Sequence, residues 1–162
     1  MTTRDQVPGR LFEDFEPGQE YRHWPGRTIT ETDNAWFTLL TMNTHPLHFD
    51  KEYAAGTRFG RPLVNSCLTL SFVVGMSVTD MSQAAVANLG FDEVRLPAPV
   101  FNGDTLYATS TVIEKRVSRS DPTVGIVRFK TVGTNQEGAE VISLSRAMLV
   151  PLRNPETAQG DS

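Results

Sequence analysis

The segment Asn43-Thr44-His45-Pro46-Leu47-His48-Phe49-Asp50 contains two of the three histidines of this 162-residue chain. An ordinary connection would use glycine, serine and lysine, whereas this one places an amide, two imidazoles and a carboxylate around a proline. Proline restricts the residue before it and lacks a backbone N–H, so a helix through Leu39 and Leu40 is predicted to end near His45. We call residues 43–50 the histidine turn and expect it to hold its polar side chains in defined directions.

The two imidazoles of this turn suggest proton chemistry. Histidine has an unperturbed pKa of about 6.5, so His45 and His48 can accept and donate protons near neutrality. Two histidines three residues apart could also be metal ligands, helix-end caps or solvated loop residues. Metal binding is disfavoured because the only cysteine, Cys67, lies in an apolar run and His23 stands in a separate segment without ligand spacing. The sequence therefore favours proton transfer, with no metal and no cofactor.

The composition describes one mildly acidic globular domain. Hydrophobic residues make up 39% of the chain, charged residues 21%, and the formal net charge is −4. No basic cluster indicates a nucleic-acid partner, and no apolar run reaches the roughly 20 residues that cross a bilayer. A single cysteine agrees with a reducing compartment. We expect a cytoplasmic protein that binds neither nucleic acid nor membranes.

The first half of the chain carries helix signals. Thr30 and Asp33 have the capping-box spacing of a helix start. Residues 51–55 are good helix formers, and Gly56 suits the end of a short surface helix. Residues 63–76 are the most apolar part of the chain and are predicted to form a helix buried on all sides.

Strand signals dominate elsewhere. Residues 21–29 predict a short strand that Pro25 and Gly26 confine to a sheet edge or interrupt with a bulge. The second half contains four β-branched and aromatic runs separated by Asn, Asp, Gly and Pro turn signals, which predicts consecutive antiparallel strands. The four runs are residues 87–96, 105–114, 124–132 and 140–152.

A long helix wrapped by an antiparallel sheet is the hotdog architecture, and the chain resembles the MaoC-like, (R)-specific enoyl-CoA hydratases. The motif of that family, Asp-x-Asn-Pro-[Ile/Leu]-His-x-Asp, corresponds to the histidine turn. Further correspondences follow in the same order: Tyr53-Ala54, Phe59-Gly60-Arg61-Pro62, Asn65-Ser66, and Pro99-Val100-Phe101-Asn102-Gly103-Asp104. The resemblance implies an α+β protein with a single hotdog domain over residues 27–152. Residues 1–26 are predicted to form an N-terminal arm with its first short elements, and residues 153–162 a flexible tail.

The resemblance also implies functional residues. In that family the aspartate and histidine of the motif handle the water that adds across the enoyl-CoA double bond, and an amide at the helix N-terminus binds the thioester oxygen. His48 corresponds to the histidine, whereas Asn43 stands at the aspartate position and can orient water without accepting its proton. His45, Asn65 and Ser66 are predicted to contact the substrate, although Asn65 and Ser66 would equally suit a helix cap.

The residues that differ from the family motif bear on the substrate class and on two alternative functions. The variant motif resembles a branch that acts on branched or dicarboxylic acyl-CoAs of the mesaconyl, itaconyl or methylmalyl type. Four arginines are candidate partners for a substrate carboxylate: Arg27, Arg58, Arg61 and Arg95. A hotdog thioesterase would need an acidic residue near the central helix, and none lies at its predicted start. A non-catalytic acyl-CoA-binding subunit is favoured by Asn43. The open sheet edge of one hotdog predicts a homodimer or a multiple of dimers.

Overall fold

The computed structural model describes residues 9–155. Five antiparallel strands form one sheet in the order β1-β3-β4-β5-β2, and a helix packs against the inner face of that sheet. The architecture confirms the predicted α+β hotdog fold. The strands are β1 (Glu20–Thr28), β2 (Ala87–Arg95), β3 (Thr105–Val117), β4 (Val124–Thr134) and β5 (Glu140–Pro151), and the helices are α1 (Glu31–Leu40), α2 (Lys51–Ala55) and α3 (Ser66–Met76).

Local hydrogen bonds start α1 and α2 where the sequence predicted. The Thr30 hydroxyl accepts from the Asp33 N–H at 3.1 Å, and the Asp33 carboxylate accepts from the Thr30 N–H at 2.9 Å. The side chain of Asp50 accepts from the Tyr53 N–H at 2.9 Å, and Gly56 follows the last residue of α2. Partial burial raises the pKa of Asp33, but the bonds from Thr30 and the nearby Arg27 outweigh burial and hold that pKa below its usual value.

Helix α1 turns its polar side chains inward. Asn34 and Thr38 lie one turn apart and are both fully buried, whereas Trp36, Leu39 and Leu40 are largely exposed. An amphipathic helix usually buries its apolar stripe. The reversed arrangement in α1 lets Asn34 and Thr38 form hydrogen bonds with neighbouring segments of the chain.

Helix α3 is shorter and more exposed than predicted. It begins at Ser66 because residues 63 and 64 are extended: the Val64 N–H donates to the Val100 carbonyl at 2.8 Å, and Leu63 forms an isolated bridge to Phe101. Leu68, Thr69 and Val73 are buried. Cys67, Ser71 and Gly75 are exposed along the opposite side, so the prediction of burial on all sides is wrong.

The sheet topology differs in one respect from the predicted run of consecutive strands. Strands β3, β4 and β5 pair in chain order, but β2 pairs with β5 and lies at the far edge. The strand β1 occupies the other edge, and its pairing with β3 shifts between His23 and Arg27, which confirms the predicted interruption at Pro25 and Gly26. A Cβ at Gly26 would lie 2.5 Å from the ring of Tyr107, so this close approach requires glycine.

The ends of the described chain are joined. The Arg153 backbone N–H donates to the Glu13 carboxylate at 3.0 Å, and the Arg153 guanidinium pairs with Asp14. Strand β1 begins at Glu20, within the residues predicted as an arm, and Arg153 is the first residue of the predicted tail. Residues 1–8 and 156–162, which make up much of that arm and tail, lie outside the described residues. Within residues 9–155, no helix is long and apolar enough to span a membrane.

Candidate active site

The histidine turn is shaped by its own side chains. The Asn43 side-chain oxygen accepts from the His45 N–H at 3.1 Å, and His45 Nδ1 accepts from the Leu47 N–H at 3.2 Å. These bonds lead into a short 3-10 helix, Pro46–His48, with the proline at its start. Asn43 and His45 therefore both stabilise the turn that contains His48. A second lone pair of the Asn43 oxygen stays available to a water molecule.

The hydrogen bond of the His48 ring determines which nitrogen can act as a base. Nδ1 lies 3.0 Å from the backbone oxygen of Leu63, and a carbonyl can only accept, so Nδ1 carries a proton. In the neutral imidazole Nε2 then holds the lone pair. Nε2 of His48 is thus the nitrogen that can remove a proton from a bound molecule.

One buried side chain connects the histidine turn to the start of α3. The amide nitrogen of Asn34 donates to the backbone oxygens of His48 and Leu63, each at 2.9 Å. Its side-chain oxygen accepts from the Asn65 N–H, also at 2.9 Å. Since Asn34 is fully buried and uses both amide hydrogens and its oxygen, it fixes three backbone groups in one geometry. Sequence reasoning missed Asn34; the available signal was an amide directly before the apolar run Ala35-Trp36-Phe37.

The N-terminus of α3 presents one free backbone amide. The Asn65 side chain caps the helix by accepting from the Cys67 N–H at 2.9 Å, and the Asn65 N–H is taken by Asn34. Among residues 9–155, the Ser66 N–H has no hydrogen-bond acceptor. The helix dipole adds a partial positive charge at this amide. Of the two residues predicted at this helix end, Ser66 is therefore the one whose N–H can bind a carbonyl oxygen.

Ser66 lines a pocket of about 260 Å³. Leu63, whose backbone oxygen holds the His48 ring, lines the same pocket. The His48 side chain is not among the residues that line this pocket, and its ring contacts the pocket-lining residue Leu63 through that hydrogen bond. Phe59 is the aromatic residue of the lining, and leucine, valine, alanine and proline take the other apolar positions.

The other predicted residues lie at different distances from this pocket. His45 is exposed, with its ring centre 6.0 Å from that of His48 and 6.0 Å from that of Tyr53. His23 is buried elsewhere, between the Asp80 carboxylate at 2.8 Å and the Ser110 hydroxyl at 2.8 Å. Over residues 9–155, no group of three or more His, Cys, Asp or Glu side chains is arranged to hold a metal ion.

The four candidate arginines also separate. Arg58 lines the pocket with Ser66. Arg27 is engaged with Asp33 at 2.8 Å, and the guanidinium of Arg61 lies 3.9 Å above the ring of Phe101, at a different pocket. Arg95 is the last residue of β2. Only Arg58 of these four stands at the pocket that contains the free amide.

The fold and this arrangement define a hotdog domain in which one buried side chain links a histidine-bearing turn to a free amide at a helix start. The chain belongs to the MaoC like domain family, whose characteristic sequence matches residues 14–134. A mesaconyl-CoA hydratase of Cereibacter sphaeroides is 37% identical over 90% of this chain and 42% of its own length. An (R)-specific enoyl-CoA hydratase of Rhodospirillum rubrum is 30% identical over 92% of this chain and 97% of its own.

A solved structure supports the same grouping. A MaoC domain protein of Chloroflexus aurantiacus superimposes with a TM-score of 0.87 at 37% identity, covering 94% of this chain and 43% of that protein. The chain therefore spans less than half the length of this protein and of the mesaconyl-CoA hydratase. It spans nearly all of the (R)-specific enoyl-CoA hydratase, so a single domain of this size occurs as a whole protein in the family.

Proposed function

We propose that this protein is an acyl-CoA hydratase that adds water across the double bond of an enoyl-CoA thioester. The observation that carries the proposal is the Asn34 side chain, which fixes the base-bearing histidine turn and the start of α3 through one set of hydrogen bonds. A rigid link of this kind keeps a proton acceptor and an oxyanion donor at a constant separation. The names of the mesaconyl-CoA and (R)-specific enoyl-CoA hydratases support the same reaction class.

The proposed mechanism uses one imidazole for both proton transfers. Nε2 of His48 removes a proton from a water molecule that the Asn43 side chain orients, and the oxygen of that water bonds to the β-carbon. The electron pair of the double bond moves to the thioester oxygen, where the Ser66 N–H stabilises the negative charge. The imidazolium then returns its proton to the α-carbon, which restores the thioester. Water is consumed, and no net proton or electron is exchanged.

Asn43 determines how the proton is handled. An aspartate at this position could share the base function, whereas an amide can only orient the water. Because Nδ1 of His48 is held by the Leu63 oxygen, Nε2 remains the basic nitrogen without help from a carboxylate. His45, which is exposed beside Tyr53, is assigned to contacts with the substrate outside the reacting bond.

The substrate we propose is a branched or dicarboxylic enoyl-CoA of the mesaconyl type. Support comes from the mesaconyl-CoA hydratase, which is 37% identical to this chain. Further support comes from Arg58, the cationic side chain that lines the pocket with Ser66. No cofactor is needed, because the thioester itself activates the double bond. We also propose a homodimer, or a multiple of one, formed through the edge strand β2, where Leu89, Phe91 and Val94 are exposed.

A thioesterase remains the competing enzyme of the same fold. It would require a carboxylate to activate water at the thioester carbon, and no acidic residue lines the pocket in the part of the chain that the structure describes. A non-catalytic acyl-CoA-binding subunit is the second competitor, supported by Asn43. The thioesterase and the non-catalytic subunit would each leave the double bond without added water.

One assay separates the three functions. The purified protein is incubated with mesaconyl-CoA and crotonyl-CoA, while loss of the enoyl thioester absorbance and release of free CoA thiol are followed in parallel. A hydratase consumes the double bond without thiol release, and a thioesterase releases thiol. A non-catalytic subunit changes neither signal, and such a result with every enoyl-CoA tested would reject the proposed function.

A further inference from the structure

We propose that Arg58 is a specificity-determining residue that binds the free carboxylate of a dicarboxylic acyl-CoA. This inference rests on the proposed function for its choice of ligand. Arg58 lines the pocket of about 260 Å³ that also contains Ser66. It is the only charged residue in the described lining, and the remaining side chains are apolar apart from Ser66 and Thr69.

The Arg58 guanidinium contacts an aromatic ring and leaves its hydrogen-bond donors unused. Its centre lies 4.7 Å from the centre of the Phe59 ring, within the range of a cation–π contact. Among the hydrogen bonds of residues 9–155 none comes from the Arg58 side chain, so its N–H donors are available for a bidentate contact with a carboxylate. Among residues 9–155, Arg58 has no acidic partner within ion-pair distance.

The chemistry of an enoyl diacid places its carboxylate in the same pocket. Only the two carbons of the double bond separate the thioester carbon from the carboxyl carbon. With the thioester oxygen on the Ser66 N–H, the carboxylate of mesaconyl-CoA therefore lies in the pocket that Ser66 shares with the apolar residues Leu63, Val64 and Pro97. A carboxylate that loses water against such walls requires a cation, and Arg58 is the one that the lining supplies.

The test compares two ligands that differ only in the group that Arg58 is expected to bind. Mesaconyl-CoA carries the carboxylate, and 2-methylcrotonyl-CoA carries a methyl group in its place. Dissociation constants are measured by calorimetry for the chain with Arg58, Arg58→Gln or Arg58→Lys, each in a His48→Ala background that does not consume the ligand, and initial rates of hydration are measured with His48 present. Arg61→Gln is the matched control because Arg61 is an exposed arginine that stacks on Phe101 at a different pocket.

We expect Arg58→Gln to weaken binding of mesaconyl-CoA by about 10- to 100-fold and that of 2-methylcrotonyl-CoA by less than threefold. Arg58→Lys should recover part of the loss, and Arg61→Gln should leave both constants unchanged. Equal weakening for both ligands would overturn the inference, since Arg58 would then contact the CoA moiety that they share. Binding and turnover are scored separately. A protein that prefers mesaconyl-CoA through Arg58 but hydrates nothing would reject the proposed function and retain this inference.

Discussion

Asn34 and His48 are joined by a hydrogen bond of 2.9 Å from the buried Asn34 amide nitrogen to the His48 backbone oxygen. The same amide group also holds the Leu63 oxygen and the Asn65 N–H, so the proposed base and the proposed oxyanion donor both depend on one side chain. This dependence makes Asn34 a positioning residue. Its effect on activity should exceed what its distance from the reacting atoms suggests.

Replacing Asn34 with alanine should therefore affect both stability and activity. The Asn65 N–H would be left buried without a partner, which lowers the free energy of unfolding by about 2 kcal/mol. The histidine turn would lose its link to α3, and kcat/KM for hydration should fall at least tenfold at a temperature where the variant stays folded. Denaturant unfolding and initial rates measure the two effects.

The control for Asn34→Ala is Thr38→Val, which keeps the shape of the side chain at the buried position one helical turn away. Thr38 contacts Asn65 only through a bond of 3.4 Å, so this variant should lose less than about 1 kcal/mol and keep its kcat/KM within twofold. If Asn34→Ala retained wild-type kcat/KM, Asn34 would be a purely structural residue.

Replacing His48 with alanine should abolish most of the activity. A general acid/base typically contributes about 10²- to 10⁴-fold to the rate, and no second base stands at the Asn43 position. Within residues 9–155 the half-buried His48 ring makes one hydrogen bond, to Leu63, so the folding free energy should change by only about 1 kcal/mol.

His45→Ala provides the comparison for His48 because both imidazoles belong to the same turn. Its kcat should fall by less than tenfold, with the main effect on KM. A His48→Ala enzyme that stays within about tenfold of the wild-type kcat/KM, near 1.4 kcal/mol in barrier, would rule out His48 as the principal acid/base.

Restoring a carboxylate at position 43 should raise activity toward unbranched substrates. An Asn43→Asp side chain can still accept from the His45 N–H, so the turn keeps its geometry while it gains a proton acceptor. We expect kcat/KM for crotonyl-CoA to rise several-fold. Asn43→Ala, which removes both the turn bond and the water ligand, should lower it. An Asn43→Asp variant no more active than Asn43→Ala would show that the amide is not a functional substitute for the acid.

The edge strand β2 gives a prediction about assembly. Leu89 is exposed on that strand, and a lysine there should disfavour pairing with a second copy. Light scattering should show a dimeric wild type, or a multiple, and a smaller mass for Leu89→Lys. Val117→Lys changes an exposed residue at the end of the interior strand β3 and should leave the mass unchanged. A wild-type mass that remains monomeric at all concentrations would refute the proposed dimer.

Local chemistry explains which parts of the fold were predictable. The Thr30–Asp33 capping box, the short helix over residues 51–55 and the interruption at Pro25 and Gly26 each depend on residues close together in the chain, and all three occur as predicted. The pairing of β2 with β5 depends on segments about 50 residues apart. Turn signals between neighbouring runs carry no information about such a pairing.

The site shows the same division between local and long-range information. The turn at Asn43 and His45 follows from proline and side-chain caps, and it was identified from the sequence. The role of Asn34 depends on backbone groups of residues 48, 63 and 65, which only the folded chain brings together. The early start predicted for α3 failed for a related reason, since apolar composition does not distinguish a buried helix from the extended pair at Leu63 and Val64.

The exposed tryptophans make the intrinsic fluorescence of the protein sensitive to anything that covers them. Both tryptophans of the chain are exposed, Trp36 on α1 with 68% of its surface accessible and Trp24 on β1 with 88%. Their indole rings lie in water, so the intrinsic fluorescence of the single chain should have a long-wavelength maximum and be quenched readily by iodide. Any molecule that covers either ring will shift the emission to shorter wavelength and slow the quenching. Assembly or ligand closure at these surfaces can thus be followed without an attached dye, and a Trp36→Phe variant separates the two signals.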